Sequence, residues 1–130
     1  MQFIILGHPV AQGRPKFYRR GNFVGAYDPG KSKGWKEDIK WQVIEQKPVK
    51  LEGAIVMHLV FNLPRPKSLP KKVIEHTKKP DLDNLAKAVK DSLKGVCYHD
   101  DSQIVYLHAE KRYAEPTGVN ITIECKEEVQ

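Results

Sequence analysis

Apolar and polar positions along the chain repeat with two periods, and the changes of period mark the predicted elements. Residues 2–6, QFIIL, form a short apolar run ended by Gly7, which predicts a buried strand at the centre of a sheet. KFYRR and FVGAY flank Gly21 and Asn22, a pair suited to the turn of a hairpin. From Ser32 to Gln46 the spacing of Trp35, Ile39, Val43 and Ile44 is helical, with Ser32 placed to cap the helix and Pro48 to stop it. AIVMHLVFNLP is long, apolar and β-rich, a second core strand closed by Pro64 and Pro66. RPKSLPKKVIEHTKKP is a polar, cationic connection with room for one helical turn. From Leu82 onward, Leu85, Ala86, Val89 and Leu93 make one helical face, and Gly95 stands where a C-terminal glycine cap belongs. QIVYLHAEKRYA and GVNITIEC then alternate as strands, and their short join through Pro116 and Gly118 predicts an antiparallel pair. This order predicts an α+β fold: a single two-layer domain over residues 1–130, with a mixed β-sheet packed against two main helices.

The 130 residues suffice to bury about two thirds of the surface of the unfolded chain, so folding needs no metal or disulfide staple. A metal here would therefore serve chemistry. Lys and Arg number 22 against 16 Asp and Glu, a net charge of +6 that favours a polyanionic partner. Cys97 and Cys125 lie far apart without zinc-ligand spacing and read as free thiols in a reducing compartment. MQFIILGHPV lacks a basic leader segment and a long apolar run, so the expectation is a soluble cytoplasmic protein with no membrane association.

Against that basic background the acids gather around one helix. Asp81 and Asp83 follow Pro80 at its predicted start, and Asp100 and Asp101 lie in the loop entering the next strand. Taken singly, Asp81 or Asp83 reads as a helix cap, and Asp100 and Asp101 as a turn. Taken together they read differently, because two carboxylates about 4 Å apart repel by roughly 4 kcal/mol at an effective dielectric of 20. A cation among them removes that cost, and oxygen ligands point to magnesium or manganese. Lys87, one turn beyond Asp83, can contact a phosphate or form an ordinary i,i+4 ion pair; the spacing does not choose between them.

DLDNLAKAVKDSL followed by HDD resembles the signature of the RusA family of Holliday junction resolvases, and GHPVAQGRPKF is similar to that family's N-terminal motif. The resemblance covers most of the chain. It implies a homodimeric, magnesium-dependent endonuclease of phage or prophage origin that resolves four-way DNA junctions in recombination and repair, with Mn2+ as a substitute for Mg2+. Carried over by position, it implies that Asp81, Asp83 and Asp101 are catalytic metal ligands and that Lys87 is catalytic. Pro80 stands where members of the family can carry an arginine, with Lys78 and Lys79 just upstream as possible substitutes in phosphate contact.

Arg14, Lys16, Arg19 and Arg20 surround Phe17 and Tyr18, a mixture suited to DNA backbone contacts with base stacking; a solvated hairpin is the plain alternative. Lys78 and Lys79 join this DNA-binding set, and Tyr27, Lys31 and Lys33 are further positions where DNA could be touched. His99 reads as an exposed loop histidine, and Trp35 and Trp41 as helix packing. Phe23, Val24 and Tyr27 are unusually apolar for a solvated arm and suit a dimer interface. Three functional classes remain open on the residues alone: a junction-resolving nuclease, a non-catalytic basic DNA-binding module, and a metal nuclease for other branched or single-stranded DNA.

Overall fold

The longest apolar strand organises the fold. A computed structural model describes residues 1–12, 16–27 and 32–126, with the backbone alone for 16–18 and 23–27. The elements are β1 (Gln2–Leu6), β2 (Lys16–Arg20), β3 (Phe23–Tyr27), α1 (Ser32–Glu45), β4 (Ile55–Leu63), α2 (Leu82–Leu93), a 3-10 turn (Asp101–Gln103), β5 (Ile104–Tyr113) and β6 (Gly118–Cys125). The main sheet has the order β1-β6-β4-β5, and β2 and β3 form a separate antiparallel hairpin turning at Gly21 and Asn22, as their sequence predicts. β4 is antiparallel to β6 and parallel to β5, so the sheet is mixed.

Two expectations are corrected here. β1 lies at an edge, not at the centre, and its alternation of exposed and buried residues is that of a strand covered on one face. β5 and β6 are not neighbours, because β4 lies between them. The join after β5 crosses the end of β4, where Ala114 N–H donates to the Leu63 carbonyl at 3.1 Å. Gly7 N–H in turn donates to the Thr117 carbonyl at 3.2 Å, which seats β6 against β1.

Both helices cover the same sheet face. Ile55, Met57, Leu59, Phe61 and Leu63 of β4 meet Ile39 and Val43 of α1 and Leu85, Val89 and Leu93 of α2 in one core. Full burial of each such side chain contributes about 1.5–3 kcal/mol. Trp35 is buried as expected, whereas Trp41 is 60% exposed and does not pack. The Trp35 ring approaches Gly7, where a Cβ would stand 2.9 Å from it; φ there is +134°, so both space and backbone call for glycine. α2 ends at Leu93, and Gly95 adopts φ +83°, the left-handed turn expected of a helix-terminating glycine. The helix packs against β5, so its start lies by the end of that strand and its end by the strand's beginning.

Candidate active site

The start of α2 is built by two converging segments. Lys111 belongs to the core-facing alternation of β5, opposite Phe61, and its ammonium donates to the Lys78 carbonyl at 2.6 Å and the Pro80 carbonyl at 2.9 Å. These bonds tie the lysine-rich approach to the sheet one residue before Asp81. From the other side, Gln12 N–H donates to the Asn84 carbonyl at 3.0 Å, which brings the N-terminal motif against the first turn of the helix.

Asp81 occupies the N-cap position, yet its side chain makes no capping hydrogen bond. Instead Lys79 Nζ contacts both of its oxygens, at 2.9 and 3.0 Å, with the lysine 85% exposed. An exposed pair of this kind contributes at most about 1 kcal/mol and exchanges readily. Asp83 is exposed in the first turn and accepts from Asn84 N–H at 3.0 Å. Lys87 does not reach back to Asp83; its ammonium lies 3.4 Å from Asp91, one turn further on.

The other acids occupy the opposite end of the helix. Asp100 caps the 3-10 turn, accepting from Ser102 N–H at 3.0 Å while Gln103 reaches back to Asp100 N–H at 2.9 Å. This capping box, together with Lys94 Nζ at 3.1 Å, holds its carboxyl well below the usual carboxylate range. Asp101, its neighbour, has a buried Oδ1 with no hydrogen-bond partner of good geometry among the described residues, although its carboxylate faces the Tyr98 phenol. The Tyr98 hydroxyl near it donates its single proton to the Lys90 carbonyl at 2.7 Å. Burial, and then the charge of Asp101, push the Tyr98 phenol up, so it stays protonated. A buried carboxylate oxygen left without a donor fits a cation ligand better than a turn former.

The predicted acids thus fall into two groups. Asp81, Asp83 and Lys87 share the first turns of α2, while Asp101 lies by its last turn, near the Tyr98 phenol that bonds the Lys90 carbonyl. Among the described residues, no three His, Cys, Asp or Glu side chains converge as a metal site. Hard oxygen donors suit magnesium or manganese at either end, but the set of three is split within one chain.

Of the predicted DNA contacts, Lys78 and Lys79 are exposed beside Asp81, and Arg19 and Arg20 are exposed at the hairpin turn, where Arg19 Nε donates to the Gly21 carbonyl at 3.0 Å. Arg14, Lys31 and the side chains of Lys16, Phe17, Tyr18, Phe23, Val24 and Tyr27 lie outside the described residues. His99 is half exposed and pairs with Glu52 at 2.6 Å. Cys97 is buried and Cys125 exposed, both free thiols. Among the described residues no helix is long and apolar enough to cross a membrane.

Sequence reasoning passed over Lys111 and Tyr98. The signal for Lys111 was there, since a lysine in the apolar parity of a strand must find acceptors inside the fold. Residues 7–124 match the family described as Endodeoxyribonuclease RusA. The chain is also 36% identical over 134 residues to an uncharacterized protein, YqaN, of Bacillus subtilis strain 168, covering 95% of this chain and 94% of that one. With the acids and the N-terminal motif all inside the matched span, the chain belongs to the RusA endodeoxyribonuclease family.

Proposed function

We propose that the protein is a magnesium-dependent endonuclease that resolves four-way DNA junctions in recombination and repair, acting as a two-fold homodimer, with manganese as a substitute ion. The observation that carries this reading is the first turn of α2. Two carboxylates stand two residues apart, the one at the N-cap position does not cap, and lysines line the approach, all within a span matched by an endodeoxyribonuclease family. Asp81, Asp83 and Asp101 would hold the ion, which when bound supplies an acidified water and neutralises charge on the phosphate. Lys79 and Lys78 attract and register the DNA backbone. Lys87, on a flexible, exposed stem and paired with half-buried Asp91, can turn to a phosphate oxygen and stabilise charge developing there.

The separation of Asp101 argues for two chains. β5 is a free sheet edge on which Val105, Tyr106 and Leu107 are 56%, 50% and 41% exposed, an apolar row that an isolated chain would leave open to pairing. Antiparallel pairing of two β5 strands about Tyr106 would set Ile104 of one copy against His108 of the other and carry the 3-10 turn that holds Asp101 toward the second half of the other strand. Lys111 is bonded to the Pro80 carbonyl, so Asp101 of a second copy would approach Asp81 and Asp83 of the first. Two such sites related by a two-fold axis match the two symmetric cuts that junction resolution requires.

Synthetic four-way, flap and linear duplex DNAs incubated with and without magnesium test the activity. The expected result is paired nicks in the four-way junction alone, stopped by a chelator. Cleavage unaffected by chelator, or equal cleavage of linear duplex, would contradict the proposal.

A further inference from the structure

The groove between α1 and α2 lies on the same side of α2 as Asp83 and Lys87. Asp83, Lys87, Asp91 and Lys94 recur every three or four residues along α2 and its C-cap, so they share one stripe, turned away from the buried stripe of Leu85, Val89 and Leu93. Lys33, Lys36 and Lys40 recur with the same spacing on α1. Between the two stripes lies a polar cavity of about 260 Å³, lined by Lys33, Lys36, Glu37, Lys40, Asp91 and Lys94.

Asp91 joins the two walls. Its half-buried carboxylate lies 4.0 Å from Lys36 Nζ across the groove and 3.4 Å from Lys87 Nζ on its own helix. Lys94 Nζ is held by Asp100 at 3.1 Å. Lys33 and Lys40 are exposed and have no ion-pair partner among the described residues. Four lysines against two acids leave the lining net positive. Ammonium groups gathered along one groove repel one another, and an anion laid between them removes that cost. Asp83 precedes Asp91 by eight positions on α2, so the cavity lies about 12 Å along the helix axis from the first acids, roughly the rise of four nucleotides in one strand of a duplex.

We propose that this groove carries the sugar-phosphate backbone of a junction arm beyond the cut, with Lys33, Lys36, Lys40 and Lys94 meeting phosphates within about four nucleotides of the one that is cleaved. The inference rests on the nuclease reading and deepens it by naming the surface that holds an uncut stretch of the substrate. An acidic protein segment would also neutralise the lysines, but it has no reason to run in line with Asp83 and Lys87. A strand whose phosphodiester is held at Asp83 does. The contacts are to phosphate alone, so they set the path of the arm without regard to its sequence.

The test is a scan with neutral phosphates. Four-way junctions that carry one methylphosphonate linkage, moved in turn along the strand on both sides of the cut, are titrated with the protein in chelator, so that binding is read without cleavage. The expected result is a loss of affinity of about threefold at one or two linkages within about four nucleotides of the cut, a loss that disappears in Lys33→Gln/Lys40→Gln. With unmodified junctions, the slope of log affinity against log salt should fall by about two in that variant. Both side chains are exposed, so its thermal unfolding should match that of the parent. Parent and variant scans that coincide at every linkage, or an unchanged salt slope, would overturn the proposal while leaving an active nuclease in place. A parent that neither binds nor cuts four-way junctions would overturn the nuclease reading and this inference together.

Discussion

At the start of α2, Asp81 and Asp83 face solvent with exposed lysines around them; at its end, Asp100 is locked in a capping box and Asp101 holds a buried oxygen beside the Tyr98 phenol. The residue type is the same, and the local hydrogen bonds separate the roles. Asp100 has an evident structural task, as donor-rich partners hold it charged. Asp101, one residue on, caps nothing, and its buried oxygen lies beside the Tyr98 phenol. The comparison teaches that an acid's function is read from the bonds it lacks as much as from those it makes.

The largest expected effect separates acids that bind a cation from acids that shape the fold. Asp83→Asn and Asp101→Asn should each lower junction cleavage by roughly a thousandfold, equivalent to about 4 kcal/mol of transition-state stabilisation. Junction binding and thermal unfolding should stay near those of the parent. Parental cleavage by either variant would remove that end of α2 from the mechanism.

Next comes assembly. Leu107→Arg places a charge on the free β5 edge and should convert a dimer into a monomer by light scattering, with cleavage falling by about a hundredfold as the sites come apart. A dimer that persists with full activity would mean that the acids meet by another route.

Asp100→Ala tests the structural member of the pair. Loss of the cap should lower the unfolding temperature by about 4 °C while leaving substantial cleavage. Because the native pKa of Asp100 is depressed, its stabilising effect is complete above the ordinary carboxylate pKa, about 3.9, and is lost as pH falls below it through the native value. The parent should therefore lose stability on acidification below about pH 4 more steeply than Asp100→Ala. Identical acid unfolding curves would contradict the capping assignment.

The smallest effect concerns the lysines. Lys79→Ala should reduce the slope of log affinity against log salt by about one, the signature of one lost phosphate contact. An unchanged slope would mean that Lys79 serves Asp81 alone.

Much of the fold was legible because it depends on local pattern. Leu85, Ala86, Val89 and Leu93 announce α2, and Gly95 its end, since a 3.6-residue stripe and a left-handed glycine act within a few residues. Strand order was not legible. Alternation in β5 and β6 fixes which side chains face inward, but which strand lies alongside is decided by packing across the whole sheet, and β4 took the place between them. For the site, the DLDN turn and the HDD acids stand out in the sequence, and so does their contrast with a basic chain. Their separation does not, because the direction in which a loop returns from a helix depends on where the next strand pairs. Trp41 shows the same limit, sharing a helix with Trp35 while facing outward.

The claim that the acids of one site come from two chains has a direct test in subunit mixing. Asp83→Asn and Asp101→Asn are each expected to be inactive alone. When they are mixed under conditions that exchange subunits, each mixed dimer would carry one site with both defects and one site with neither. Random assortment makes half the dimers mixed, so about a quarter of the parental sites should return, seen as magnesium-dependent nicking of four-way junctions without efficient paired cleavage. If every site drew all its acids from one chain, no mixed dimer could hold an intact site. Absence of nicking in a mixture shown to have exchanged subunits would contradict the account.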